Sequence, residues 1–220
     1  MVQSLFYSAI IFGCCFSVFA NAAIDESCKD KVHNLVESNS PKDIPYPAKI
    51  LNFTGTVYDT EQKPTCSNKQ PTILMPGWVK LLGGELHVER DFDIVKDGML
   101  RMTVKGSNFD DALCLNGTSQ YLALPNSFCN LKVCDFIGVE MCKILQQKGV
   151  HTFDELKEKM GFNTTLAIPE PPSLLGISLL DLFSGDFSFI FALETEGQTI
   201  LELKIPTNHD FLQIGVEDDE

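Results

Sequence analysis

Apolar and polar positions alternate most cleanly toward the C-terminal end of the chain. Phe187, Phe189, Phe191 and Leu193 fall on one side of a period-two pattern. After Glu196-Gly197 the pattern resumes, with Leu201, Leu203 and Ile205 on one side and Glu202 and Lys204 on the other. Strand side chains alternate between faces, so these residues predict a β-hairpin with one apolar face. A second hairpin is predicted upstream. Leu86, Val88, Phe92 and Ile94 share a face against Glu85, His87, Glu89, Asp91 and Asp93, with Arg90 interrupting the row. Lys96-Asp97-Gly98 marks a turn, and Leu100, Met102 and Val104 then face inward against Arg101, Thr103 and Lys105. Asn52 to Tyr58 and Tyr121 to Leu124 have strand-like composition.

Helical spacing is confined to the middle and the start. Asp135 to Lys148 places Ile137, Met141, Ile144 and Leu145 on one face and stops at Gly149, which predicts a helix. Thr152 with Glu155 forms a capping box for a short helix ending at Gly161. Cys28 to Val36 is compatible with a short helix, and Pro41 to Pro47 with an extended linker. Leu166 to Phe183 is rich in proline and leucine, and Leu174, Leu175, Leu179, Leu180 and Phe183 make it apolar. Two readings of that run stay open: a loop that probes a membrane, or a short buried helix.

The first residues change the compartment expected for the chain. Leu5 to Phe19 is almost wholly apolar and Ala20-Asn21-Ala22 has the small-x-small form of a signal cleavage site. The run is shorter than the roughly 20 apolar residues of a membrane span. The expected organisation is therefore a signal peptide over 1–22 and an N-terminal extension without a readable pattern over 23–65. A β domain over 66–210 and an acidic tail over 211–220 complete it. Six of the eight cysteines lie past the signal: Cys28, Cys66, Cys114, Cys129, Cys134 and Cys142. Zinc ligation and disulfides compete for them, and the lack of any CxxC pair or suitably spaced histidine favours disulfides. No metal or other cofactor is expected. Sequons at Asn52, Asn116 and Asn163 fit a glycoprotein of a eukaryotic secretory route. The four histidines, His33, His87, His151 and His209, lie on polar stretches and are expected at the surface, with His87 placed to titrate beside acidic neighbours.

A formal net charge of −13 removes one class of partner. No basic stripe exists to displace counterions from phosphates, so nucleic acid is not expected. Catalysis finds no GxSxG, HExxH, P-loop or GxGxxG, and acidic pairs such as Asp91/Asp93 and Asp110/Asp111 are ordinary on exposed turns. The chain is not expected to be an enzyme.

Three segments carry a resemblance. Ile94-Val-Lys-Asp-Gly98-Met-Leu-Arg-Met-Thr-Val-Lys-Gly106, Cys129-Asn-Leu-Lys-Val-Cys134 through Cys142-Lys-Ile-Leu145, and Phe183-Ser-Gly-Asp-Phe187 through Ile205 make up the layout. It resembles the MD-2-related lipid-recognition (ML) superfamily, and within it the ganglioside activators. The resemblance implies a mainly β fold: an antiparallel β-cup or sandwich with a small disulfide-rich helical insertion. It implies a secreted or lysosomal protein that holds acyl chains in the cup. Lipid or glycolipid, a transient membrane surface and a lipid hydrolase are the partners implied.

The inward rows Leu100, Met102, Val104, Phe187, Phe189, Phe191, Leu193, Leu201 and Leu203 would then line the cup. Without the resemblance, the same rows read as a filled sandwich core in a secreted protein-binding or inhibitor module. Trp78, the single tryptophan, reads either as a rim anchor or as core. By likeness to the family's small loop, Cys129 is expected to pair with Cys134. Cys28 is expected to pair with Cys66, because the closing strand lacks the family's usual cysteine. Cys114 and Cys142 remain.

Overall fold

The computed structural model describes residues 27–122, 124–170, 173–174, 177–178 and 185–216. The expected signal segment and the last four residues of the acidic tail lie outside that range. In chain order the first strands are β1 (Leu35–Ser38), β2 (Ala48–Tyr58), β3 (Cys66–Ser67), β4 (Gln70–Met75) and β5 (Gly77–Val88). A helical turn α1 (Ile94–Asp97) leads to β6 (Met99–Gly106), β7 (Cys114–Leu115), β8 (Thr118–Ser119) and β9 (Asn130–Lys132). The insertion comprises α2 (Val133–Ile137), α3 (Val139–Leu145), β10 (Gly149–Thr152) and α4 (Phe153–Met160). It is followed by β11 (Thr165–Ile168), the two-residue strands β12 (Ser173–Leu174) and β13 (Ile177–Ser178), β14 (Gly185–Thr195), β15 (Gln198–Ile205) and β16 (Leu212–Val216).

The protein is mainly β, with two large sheets and a small helical insertion. In the first sheet β1, β2 and β5 run side by side, and β10 and β11 pair with opposite ends of β5. In the second, β14 lies between β6 on one edge and β15 and β16 on the other. All pairings are antiparallel except β4 with β16, which is parallel. The two sheets join along one side, where Lys204 N–H donates to the Asn39 carbonyl and Thr207 N–H to that of Glu37. The main core sits between the sheets: Ala48 and Val88 of the first meet Ile200, Leu201 and Leu203 of the second.

The C-terminal hairpin forms as its alternation predicts. Glu196 and Gly197 both take positive φ (53° and 72°), the geometry of a tight two-residue hairpin turn. Phe189, Phe191 and Leu193 stand opposite Ile205, Leu203 and Leu201 on β15, and opposite Val104, Met102 and Leu100 on β6. One apolar face thus spans three strands.

The upstream hairpin does not form. β5 and β6 lie in different sheets, and the residues between them cross over. Arg90 ends the apolar row, and Asp93 Oδ1 caps α1 by accepting from Lys96 N–H at 3.1 Å. Asp91 Oδ1 accepts from Lys148 N–H at 2.6 Å. Phe92 and Ile94 are buried as the pattern suggests, but as plugs under the crossover. A similar crossing occurs at Pro76, between β4 and β5. There a Cβ on Gly77 would lie 2.7 Å from the Leu74 carbonyl oxygen, so only glycine fits.

Five further expectations are corrected. The helix over Asp135 to Lys148 is split at Gly138, whose φ of 87° ends α2. Cys28 to Val36 is a turn running into β1, because Asn34 Oδ1 accepts from Lys31 N–H and its Nδ2 donates to the Val57 carbonyl. Residues 23–65 are no extension, since β1 and β2 are full members of the first sheet. Nor is 211–220 only a tail: β16 is inserted between β4 and β14, and Leu212 is 1 % exposed. Tyr121 and Leu122 are not in a strand; the nearby strand is β8.

Candidate functional site: the apolar interior

Among the described residues three disulfides are present, Cys28–Cys66, Cys114–Cys129 and Cys134–Cys142. They fit the oxidising environment outside the cell. The expected bonds Cys129–Cys134 and Cys114–Cys142 are overturned. Cys114 in β7 pairs across to β6, and β9 leads back to the opposite part of β6, which brings Cys129 to Cys114 with Cα atoms 5.5 Å apart. Cys134 instead reaches Cys142 across the Gly138 break, binding α2 to α3.

The inward residues of the second sheet meet as a continuous apolar face. Its aromatic members form a row: Phe187 and Phe189 lie 6.5 Å apart, and Phe189 and Phe191 stack at 6.1 Å. Phe109 extends the row, stacked on Phe187 at 6.2 Å and edge-on to Tyr121. Phe187, Leu201 and Leu203 are buried. Leu100, Met102, Val104, Phe189, Phe191 and Leu193 are only half-buried although they face inward.

Across from that row, a cavity of about 290 Å³ lies between the first sheet and the helical insertion. Ile50 and Phe53 of β2 and Leu81 and Leu86 of β5 form one wall. Ile137, Met141 and Leu145 of α2 and α3 form a second, and Phe153, Leu156 and Phe162 a third. These are the positions the helical pattern puts on one face, with Ile144 half-buried beside them. Phe53, Phe153 and Phe162 are in ring contact, at 5.7 and 6.1 Å. Ile50, Leu86 and Ile137 also pack on the core cluster that receives Phe191 and Leu193, so cavity and aromatic row share a partition.

α4 is positioned by its caps. Thr152 Oγ1 accepts from Glu155 N–H at 3.2 Å, and Gly161 closes the helix in the left-handed region. The Lys159 ammonium, hydrogen-bonded to Glu155 Oε1, holds that carboxyl below its usual range.

The remaining site residues are scattered. Trp78 is half-buried in β5 beside Tyr58 and Ala167, on the strand face opposite Leu81. Asn52, Asn116 and Asn163 are all exposed. Leu174 lies in β12, while Leu175, Leu179, Leu180 and Phe183 fall outside the described residues. His151 is a correction: it is buried and lines the cavity. Sequence gave a misleading signal there, since Val150 looks like the inward residue of its strand and is 51 % exposed. Among the described residues, no helix is long and apolar enough to cross a membrane, and no cluster of His, Cys, Asp and Glu is placed to hold a metal.

No protein-family model matches the chain, and no curated protein is similar enough to register as a relative.

Proposed function

We propose that this is a secreted or endo-lysosomal lipid-binding and transfer protein that holds acyl chains in the apolar interior and presents a glycolipid to a hydrolase. The observation that carries this reading is the half-buried state of Phe189, Phe191, Met102 and Leu100 on an inner sheet face. A filled sandwich core would bury such a row completely. The neighbouring cavity, with an almost wholly apolar wall, adds support. The resemblance of the three segments to ganglioside activators agrees with it. Each methylene moved from water into such an interior contributes roughly 0.8 kcal/mol, so extraction of a lipid needs no chemistry.

Contact with a membrane is part of the proposal. Phe136 (76 % exposed) and Val139 stand in water at the α2–α3 break, beside the cavity residue Ile137. The −13 net charge opposes approach to an anionic bilayer at neutral pH, and protonation of carboxylates near pH 4 to 5 relieves it. The test is a fluorescent fatty-acyl probe: Phe189→Asp should abolish its binding while the variant melts cooperatively. Unchanged binding by the folded variant would refute the proposal.

A further inference from the structure

Two of the three sequons lie at one end of the cavity. Asn52 precedes Phe53 and Asn163 follows Phe162, and Phe53, Phe153 and Phe162 form the aromatic cluster of the cavity wall. Both asparagines are exposed, and all three phenylalanines are only half-buried. The local backbone sets each asparagine. Asn52 sits where the β2–β5 register shifts, at a positive φ of 52° that asparagine adopts more readily than most residues. Asn163 Oδ1 accepts from Thr165 N–H at 2.9 Å, an Asx turn that engages the oxygen and not Nδ2. β5 runs between the two segments: Thr54 stands opposite Gly83 on one side, and Leu81 N–H donates to the Thr164 carbonyl on the other. They are thus two strand spacings apart, about 10 Å. Asn116 instead belongs to the β7–β8 turn of the second sheet.

We propose that Asn52 and Asn163 carry N-linked glycans, and that these stand over the aromatic end of the cavity and keep it from self-association. In the secretory lumen Nδ2 attacks the anomeric carbon of an oligosaccharide carried on a polyisoprenyl diphosphate. The new C–N bond replaces the C–O bond to the diphosphate, which leaves, and Nδ2 gives up one proton. The sugar of Asn163 takes a hydrogen on Nδ2, so the Asx turn made by Oδ1 survives the modification. Half-exposed aromatic rings in contact are a surface on which copies of the chain can associate, and glycans are bulky and solubilising. Sequons on both sides of β5 place two such covers beside the same rings. The inference goes beyond the lipid-binding reading and does not rest on it, since the glycans shield the rings whatever the interior holds.

The experiment uses the full chain secreted by eukaryotic cells that make high-mannose glycans. Glycopeptide mass spectrometry should find sugar on both Asn52 and Asn163. Trimming the folded protein with an endoglycosidase, which leaves one sugar residue per site, needs no variant. Self-association in sedimentation equilibrium should then tighten by about tenfold or more. Asn116→Gln protein should behave as wild type before and after trimming, whereas untrimmed Asn52→Gln/Asn163→Gln protein should associate as trimmed wild type does. Phe162→Ser should return the trimmed protein to the monomer. Unmodified Asn52 or Asn163 in the secreted protein overturns the proposal, and so does trimming that leaves association within about twofold. Association that follows Asn116, or that survives Phe162→Ser, overturns it as well. Loss of fatty-acyl probe binding in these samples would count against the lipid-binding reading alone.

Discussion

Removing the Cys134–Cys142 bond should loosen the roof of the cavity more than the fold. The bond closes a loop of sequence separation 8 and joins α2 to α3 across Gly138. Ile137 and Met141, on either side of that break, form the roof. Loop-closure entropy assigns about 2.5 kcal/mol to a loop of that size. The same relation gives about 3 kcal/mol for Cys114–Cys129, separation 15, and about 4 for Cys28–Cys66, separation 38. Replacing each pair by two alanines makes the same chemical change three times, so the order of the losses carries the information. Urea unfolding of the three double variants should rank them in that order. In the Cys134→Ala/Cys142→Ala protein, hydrogen exchange should quicken at Cys142-equivalent and Gln146 amides, which bond to Gly138 and to residue 142. Amides of the β14–β15 hairpin should change only by the global loss. A roof variant as damaged as the Cys28–Cys66 variant, or a non-reducing peptide map joining Cys129 to Cys134, would refute the reasoning.

Other expectations follow from single groups. Leu156→Ala, at a buried position in the cavity wall, should cost about 2–5 kcal/mol in urea unfolding; a loss under 1 kcal/mol would mean the wall is not packed. Thr152→Ala removes the cap of α4 and should cost about 1 kcal/mol, roughly 3 °C in melting temperature; no change would deny the cap a role. The Tyr58 hydroxyl is pushed above the ordinary phenol range by burial and by Asp30, whose Oδ1 accepts its hydrogen bond at 2.9 Å; burial and Glu202 do the same to Tyr46. A raised folded pKa gives stability that is full below the unfolded value near 10 and lost as pH rises through the folded one. The Tyr46→Phe/Tyr58→Phe protein should therefore lose less stability between pH 9 and 11 than wild type, and an identical alkaline limb would contradict this. Phe136→Ser should slow lipid transfer from anionic vesicles without changing the melt, and wild-type transfer should be faster at pH 5 than at pH 7.

Local signals were legible where one face is apolar and the turn chemistry is strict. Phe187 to Ile205 shows both, and its register is the one the alternation requires. The Thr152–Glu155 cap and the Gly161 stop are equally local. What failed depended on distant partners. Leu86 to Val104 has the alternation of a hairpin, yet the chain crosses between sheets where Asp91 accepts from Lys148 of the insertion and Asp93 caps α1. Leu35–Ser38 and Leu212–Val216 are ordinary short segments that become strands because long neighbours offer an edge. The apolar face of the second sheet was readable as a row. The cavity was not, because its walls come from β2, β5 and the helices, and His151 enters it against the apparent pattern of its own strand.

The central claim is that the interior holds lipid, and the most direct measurement is mass spectrometry of an organic extract of the protein secreted by eukaryotic cells and purified without detergent. The account predicts acyl-chain lipid in roughly equal amount to protein, and much less from the Phe189→Asp variant carried through the same purification. An extract free of lipid, from a folded protein that also takes up none from vesicles, would contradict it.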